Sequence, residues 1–241
     1  MKKLLLILLC LPFIGIGQNL YPEKVIALEF SEDRGKKFNT QQAWDECNKL
    51  PAVQSISDFT SEEQKTNQLC NEMKDEIWHT DAVSWGNGWY DCVIEPIKVS
   101  ASSILESQGN NKYDAINAHD FNYKNAWVEG VAGYGIGEYL VYKFHKSTPQ
   151  INTIIIVNGY VKSNSAWKKN SRVKKLKVYL NNKEFVYLNL QDNISEQHFY
   201  IPEIGNFDNH FAIKFKIMEV YKGTKYDDVV ISEIYFDGLC H

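Results

Sequence analysis

The sequence predicts a mainly β protein whose C-terminal part is a β-sandwich or barrel. From residue 92 onward, apolar residues recur with a period of two in short runs separated by polar turns. Residues 173–180 and 211–217 place lysines between apolar residues, which is typical of an antiparallel strand with one solvated face. Many short strands joined by turns favour a sandwich or a barrel.

Eight strands are predicted in this part of the chain. Residues 151–157 are almost continuously apolar, which indicates a central buried strand. Asn181 and Asn182 lie between two runs and indicate a hairpin turn. The predicted strands cover residues 93–100, 138–145, 151–157, 173–180, 184–190, 197–201, 210–220 and 230–236.

Residues 1–17 are typical of a secretory signal peptide. Two lysines precede an apolar run, and small residues precede Gln18. The run is too short to anchor the chain across a bilayer. Cys10 loosely fits a lipoprotein motif, but only six apolar residues, 4–9, would precede it, so we expect export without a lipid. The expected location is secreted, periplasmic or cell-surface associated.

The charge balance of the exported chain is acidic. Removing residues 1–17 takes away two of the 26 basic residues, and 24 against 30 acidic residues gives a net charge of −6. Nucleic acids and anionic lipids need basic patches, so neither is expected as a partner. No later segment is apolar enough to span a membrane.

Residues 18–91 are predicted to form a small helical segment that contains a disulfide. Residues 39–50 and 60–73 have helical spacing of apolar residues, and Thr60 or Ser61 is a candidate cap for the second helix. A pair of disulfides is expected in an exported chain with four cysteines, and three connectivities are possible. Zinc is not expected, because no two cysteines stand two to four residues apart.

The positions of the cysteines favour one of the three connectivities. One cysteine precedes the first strand of the predicted sandwich and another follows the last strand, and the two ends of a sandwich tend to lie close together. The preferred pairs are therefore Cys92–Cys240 and Cys47–Cys70.

Three polar segments punctuated by glycine stand between the strands, at residues 125–138, 157–160 and 221–234. Glycine lets the backbone adopt a positive φ or approach a ligand closely. Aromatic rings and amide or carboxylate groups around such turns are suited to sugar faces and sugar hydroxyls. The candidate ligand-binding residues are Tyr134, Tyr160, Trp167, Arg172, Tyr221, Tyr226, Glu129, Glu138, Asn158 and Asp228. A structural role is an equally good explanation for any one of them, and Trp127 is expected in the core.

An ordered series of motifs over residues 99–237 resembles the NADase-type glycan-binding domain, a branch of the discoidin (galactose-binding-like) family. The series includes 101–105 (Ala-Ser-Ser-Ile-Leu), 125–130 (Asn-Ala-Trp-Val-Glu-Gly) and 220–228 (Val-Tyr-Lys-Gly-Thr-Lys-Tyr-Asp-Asp). The resemblance implies a discoidin-like jelly-roll sandwich over residues 92–241. It also implies a carbohydrate-binding or translocation module. Nothing in the chain resembles the separate NAD-cleaving domain that accompanies this module in a toxin.

Discoidin-type domains commonly hold a structural calcium ion with an Asp-Gly-Asn-x-x-Thr-Ala-Trp loop and a Glu near the last strand. The resemblance therefore implies a calcium site, although Phe121 replaces the glycine and asparagine replaces the threonine. A loop without metal, held by hydrogen bonds between the same groups, is the alternative. The implied ligands are Asp120, Asn122, Asn125 and Glu233.

The function expected from these observations is non-catalytic recognition of a glycan or glycoconjugate. A protein-interaction or translocation module that uses the same loops is the alternative. A glycan hydrolase that uses Glu129, Glu138 and Asp228 ranks third, because carboxylates at strand ends more often fix loops. No catalytic residue is predicted. Gly133, Gly135 and Gly137 lack the βαβ unit of a nucleotide-binding loop.

Overall fold

The computed structural model describes residues 17–28, 47–51, 55–68, 70, 94–109 and 111–239. Two α-helices, α1 (61–68) and α2 (Asn164–Lys169), and two 3-10 helices, Ile56–Asp58 and Ala115–His119, lie in these ranges. The strands are β1 (Gln18–Leu20), β2 (Lys24–Ala27), β3 (Lys98–Ala101), β4 (Trp127–Val128), β5 (Tyr139–Phe144), β6 (Gln150–Asn158), β7 (Ser171–Leu180), β8 (Lys183–Asn189), β9 (Ser195–Ile204), β10 (Phe211–Tyr221) and β11 (Val229–Leu239).

The strands form two layers of a β-sandwich. One layer has the order β2-β9-β6-β11, and the other has the order β1-β8-β7-β10-β5-β3. Most neighbours are antiparallel, whereas β1 pairs in parallel with β8. The first two residues of β11 also pair in parallel with β7, which joins the layers at one end. The predicted β-sandwich is confirmed.

The core lies between the layers and comes from the alternating residues of facing strands. Leu140, Tyr142 and Phe144 of β5 have no exposed surface, and they face apolar residues of β6, β9 and β11. The Phe144 and Phe236 rings meet edge to face with centroids 4.9 Å apart. Trp127 is fully buried, as predicted, and its indole N–H donates to the Ser103 carbonyl at 3.0 Å.

All eight predicted strands occur, with ends that differ by a few residues; the strand predicted over 93–100 begins at Lys98. The sequence pattern gives no indication of β1, β2 and β4. The first two lie in the segment assigned to a separate N-terminal part, yet β1 pairs with β8 and β2 pairs with β9. Strands of three and four residues are too short to show an alternation of apolar and polar residues. Their conformation is set instead by pairing with the unpaired N–H and C=O groups at the edges of the two layers. The boundary at residue 91 lies outside the described residues.

The N-terminal segment contains the predicted cap and the predicted disulfide. The Thr60 N–H donates to the Glu63 carboxylate at 2.7 Å, and the Glu63 N–H donates to the Thr60 hydroxyl at 3.3 Å, which is a capping box at the start of α1. The Thr60 hydroxyl also donates to the Glu63 carboxylate at 2.7 Å, and this bond, followed by the bond from the Thr60 N–H, lowers the pKa of Glu63. Cys47 and Cys70 form a disulfide. Most of the helix predicted over 39–50 lies outside the described residues.

The signal peptide and the second disulfide also lie outside the described residues, and both stay predictions. Ile94 donates its N–H to the Phe236 carbonyl at 2.9 Å, so the segment before β3 lies beside β11. That proximity is what a Cys92–Cys240 bridge requires. In the ranges that the structure covers, no helix has the length and hydropathy to cross a bilayer.

Candidate functional site

The loop between β4 and β5 closes over Glu129 at one end of the sandwich. The Glu129 carboxylate is fully buried and accepts hydrogen bonds from the Val131 N–H at 2.9 Å and the Val229 N–H at 3.2 Å. Gly135 has a φ of +56°, and a side chain there would collide with Glu129 at 2.5 Å. Burial raises the pKa of Glu129, although both hydrogen bonds oppose that effect. Glu129 therefore fastens this loop to β11.

Asn158 and Gly159 connect the end of β6 to the start of β7, which belongs to the other layer. The Asn158 amide donates to the Val173 carbonyl at 2.7 Å and accepts from the Val173 N–H at 3.0 Å. Gly159 has a φ of +83°, and a Cβ there would lie 2.7 Å from Trp167 and 2.8 Å from Arg172. Asn158 is buried in this role, so the structure does not place it among groups that a ligand can reach.

Arg172 was expected to contact a ligand, but its guanidinium is used inside the protein. It donates to both carboxylate oxygens of Asp192, at 2.6 and 3.1 Å, and to the carbonyls of Trp167 and Asn170. Arg172 is buried, with 6% of its surface exposed. The Trp167 indole N–H donates to the Asn158 carbonyl at 3.0 Å. The pairing of Arg172 with Asp192 could not be predicted from sequence, because the two residues are 20 positions apart and share no motif.

Tyr221 and Tyr160 are also anchored by their hydroxyl groups. The Tyr221 O–H donates to the Leu190 carbonyl at 3.0 Å, and the Tyr160 O–H donates to the Lys124 carbonyl at 3.3 Å. The Tyr160 ring packs against a small apolar cluster that includes Tyr113. Burial, and then the charge of Tyr113, raises the pKa of Tyr160. Both tyrosines are half-buried, so only part of each side chain is accessible to a ligand.

The remaining predicted residues present accessible groups. Tyr226 is 40% exposed, and its hydrogen bond with Lys225 lowers its pKa. Tyr134 is half-buried, with the Lys222 ammonium 4.7 Å from its ring centroid. The Glu138 carboxylate accepts a hydrogen bond from the Ser102 hydroxyl, with 2.6 Å between the two oxygens. Burial raises the pKa of Asp228.

Tyr113 links these groups and was missed by the sequence analysis. Burial raises the pKa of Tyr113, and the charges of Asp228 and Tyr226 raise it further. The same ring is near enough to Tyr160 to affect its pKa. We call Tyr113, Tyr160, Tyr226 and Asp228 the tyrosine cluster. Tyr113 lies outside the glycine segments and the predicted strands, so no sequence pattern marked it.

The four residues implied as calcium ligands come together in one loop beside β11. The Asn122 N–H donates to Asp120 Oδ1 at 3.0 Å and to Glu233 Oε1 at 2.9 Å. The Asn125 side-chain amide donates to Asp120 Oδ2 at 2.7 Å. Phe121 occupies the glycine position with a φ of +56° and stacks on Tyr235, with centroids 4.8 Å apart. The replacement therefore keeps the left-handed turn, and the stacked ring offsets its conformational cost of roughly 1–2 kcal/mol.

Glu233 is the group in this loop whose charged form is least favourable. Its side chain is fully buried, and Oε2 receives no hydrogen bond from the described residues. Burial, followed by the charge of Asp120, raises the pKa of Glu233 well above its usual range. Two adjacent carboxylates with one uncompensated oxygen fit a hard cation, which takes oxygen ligands.

Residues 89–237 match the family described as NAD glycohydrolase translocation F5/8 type C domain. The chain belongs to this family. No curated protein matches the chain. The match covers both layers of the sandwich and the tyrosine cluster, and it leaves β1 and β2 outside the family domain.

Three solved structures are similar to parts of the chain. The translocation domain of the Streptococcus pyogenes NAD+-glycohydrolase is 28% identical, covers 44% of this chain and 91% of its own, and has a TM-score of 0.32. A family 32 carbohydrate-binding module from Clostridium perfringens, in complex with GalNAc-β-1,3-galactose, is 16% identical over 58% of this chain and 94% of its own, with a TM-score of 0.43. Two such modules of Clostridium perfringens ZmpB are 12% identical over 82% of this chain and 57% of theirs, with a TM-score of 0.48.

Proposed function

We propose that this translocation-family domain is a non-catalytic module that binds a glycan at the end of the sandwich formed by the tyrosine cluster and Tyr134. The observation that supports it best is the exposed Tyr226 ring beside Asp228 and Tyr113. Export, predicted from residues 1–17, would bring the module to extracellular glycans.

Proteins bind sugars with aromatic rings, which stack on the sugar faces, and with carboxylates, which accept hydrogen bonds from the sugar hydroxyls. Tyr226 and Tyr134 offer ring surface, and Asp228 and Glu138 offer hydrogen-bond acceptors for hydroxyl groups. Lys222 and Lys225 lie over the two rings, at 4.7 and 4.9 Å from the centroids, and supply donors. The same end therefore contains both kinds of contact that a glycan needs.

The position of Glu129 favours binding over hydrolysis. A glycosidase needs two carboxylates that flank the bond to be cleaved. Glu129 is instead enclosed beneath Gly135 and is used by two backbone N–H groups. This leaves Glu138 and Asp228, and Glu138 already accepts a hydrogen bond from the Ser102 hydroxyl. A protein partner at the same loops remains the second candidate, because a tyrosine-rich surface also suits protein recognition.

A glycan array probed with the wild-type chain and two tyrosine variants tests the proposal. We expect binding to a defined glycan class, and Tyr226→Ala should weaken that binding by roughly tenfold, the effect of losing one aromatic contact. Tyr200→Ala is the matched control, since Tyr200 is 50% exposed on β9, a strand outside the cluster. Failure to bind any glycan, or equal losses in both variants, would overturn the proposal. Release of reducing ends from a bound glycan would favour a hydrolase instead.

We also propose that Asp120, Asn122, Asn125 and Glu233 hold a structural calcium ion. The support is the uncompensated Glu233 oxygen beside Asp120 in a fully buried position. A bound divalent cation would supply the positive charge that these carboxylates lack. The hydrogen bonds within the loop are the alternative that the chain can use without metal.

A further inference from the structure

The outer face of the second layer carries a dense group of lysines. Core residues alternate along each strand, so Lys143 faces outward between the buried Tyr142 and Phe144. The same alternation places Lys214 and Lys216 outward on β10. We call this surface the lysine face; it comprises Lys98, Lys143, Lys175, Lys177, Lys214 and Lys216, with Tyr139, Tyr179 and Tyr187 among them.

Two lysine pairs on this face stand directly opposite each other on neighbouring strands. Lys98 is in register with Lys143, and Lys216 is in register with Lys177. Like charges in directly opposed positions destabilise a sheet. Lys177 is paired with Glu184, but within the described residues Lys98, Lys143 and Lys216 form no ion pair with a carboxylate. The fold therefore keeps a repulsive arrangement that an external anion would relieve.

Tyrosine rings lie close to several of these ammonium groups, while two glutamates also belong to the surface: Glu184 is paired with Lys177, and Glu219 stands opposite Lys175. Lys214 Nζ lies 4.4 Å from the Tyr179 ring centroid and 5.4 Å from that of Tyr139. Lys175 Nζ lies 4.9 Å from the Tyr187 centroid. An ammonium over a ring face is stabilised by the ring, and it keeps N–H donors for another partner. The lysines are thus arranged as donors across four strands, β3, β5, β10 and β7.

We propose that the lysine face binds an acidic polysaccharide, one that carries carboxylate or sulfate groups along its chain. The charge is concentrated here although the whole chain has 26 basic and 30 acidic residues. Repeated cations on successive strands, spaced about 4.8 Å apart, suit a polymer with repeated anions. This surface is distinct from the tyrosine cluster and does not depend on the function proposed for it.

Two other polyanions fit the face less well. A bilayer surface usually receives apolar side chains together with basic ones. Of the large exposed hydrophobic residues, Tyr139 is the one that belongs to this face. Single-stranded nucleic acid binds by stacking bases on open aromatic rings. The rings of Tyr179 and Tyr187 each have two lysine ammonium groups nearby, whereas Tyr134 and Tyr226 in the proposed glycan site each have a single one among the described residues.

Binding of the full chain to immobilised polysaccharides tests the proposal. Alginate and dextran sulfate are the acidic probes, and neutral dextran is the control. We expect binding to the acidic probes that weakens as salt rises, because exposed charges are screened. The variant K98Q/K143Q/K214Q/K216Q should lose on the order of tenfold or more in affinity. Its melting temperature should be no lower than that of the wild type, because the opposed lysine pairs are removed. The control variant K24Q/K65Q removes two lysines that lie away from this face and should bind like the wild type, since Lys24 lies on β2 of the other layer and Lys65 on α1.

Several results would overturn the proposal. They are wild-type affinity in the quadruple variant, an equal loss in K24Q/K65Q, or equal binding to neutral dextran. Tighter binding to oligothymidylate, or to vesicles of phosphatidylcholine and phosphatidylglycerol, would assign the face to a different polyanion. Loss of alginate binding in Tyr226→Ala would place the polysaccharide at the tyrosine cluster rather than on the lysine face.

Discussion

The guanidinium of Arg172 lies over the indole of Trp167, with Cζ 4.3 Å from the ring centroid. The two residues come from β7 and α2, and Gly159 after β6 lies against both. Asp192, between β8 and β9, completes the arrangement through two hydrogen bonds to Arg172. Three consecutive segments and the loop that holds Asp192, 20 residues beyond Arg172, are thereby joined. The polar set that the sequence suggested as a binding site makes its contacts within the fold.

Arg172→Ala should lower the free energy of unfolding by about 2–4 kcal/mol. It removes a buried cation and leaves the two carbonyls of Trp167 and Asn170 without donors, while the partly exposed Asp192 moderates the cost. Urea denaturation measures the change. Arg172→Lys should recover only part of it, because lysine cannot reproduce the forked geometry. Wild-type stability with lost glycan binding would instead restore Arg172 to the ligand site.

Calcium should raise the melting temperature of the wild-type chain, and chelation should reverse the rise. A ligand that binds only the folded state stabilises it by mass action. Asp120→Asn should abolish the calcium response because it removes one carboxylate of the pair with Glu233. Asp237→Asn, a change on the same strand as Glu233, should retain the response. A melting curve that is indifferent to both calcium and chelator would eliminate the metal proposal.

Tyr142 should make the protein sensitive to alkaline pH. Burial raises the pKa of Tyr142 well above its ordinary value of 10.0. The folded state therefore keeps a proton that the unfolded state releases, so the stability present below pH 10.0 is lost as pH rises above that value. Tyr142→Phe should reduce the slope of melting temperature against pH in this range. It should also lower stability at neutral pH modestly, because the hydrogen bond to the Ala118 carbonyl is lost. An unchanged slope would show that other groups govern alkaline unfolding.

Lys216→Gln should raise the melting temperature by roughly 1–3 °C at low salt, since it removes the like-charge contact with Lys177. Lys143→Gln should do the same for the contact with Lys98. Thermal melts at low and high salt provide the measurement, and added salt should shrink both gains. Lys24→Gln is the control, because Lys24 faces His198 in the register rather than another lysine. Melting temperatures below the wild-type value would show that the opposed lysines stabilise the sheet.

The candidate site could be predicted in part. The glycine segments do end strands at one end of the sandwich, and Tyr134, Tyr226, Glu138 and Asp228 keep accessible groups there. Arg172, Asn158 and Glu129 could not be separated from them, because their partners are backbone groups and an aspartate far along the chain. Tyr113 could not be identified from sequence, because it lies in no motif. Its place in the cluster depends on Asp228 and Tyr226, which are far from it in the chain.

The sequence by itself determined the strands with alternating apolar residues, the Thr60 cap, the burial of Trp127 and the membership of the sandwich family. Those features depend on residues that are close in sequence or on motifs in a fixed order. Tertiary structure alone decided that β1 and β2 complete the two layers and that Arg172 is enclosed. It also decided that lysines from four strands form one face on a chain of acidic net charge. The register between strands that are distant in sequence sets these contacts. The net charge is a sum over the whole chain, so it does not show which charged residues become neighbours.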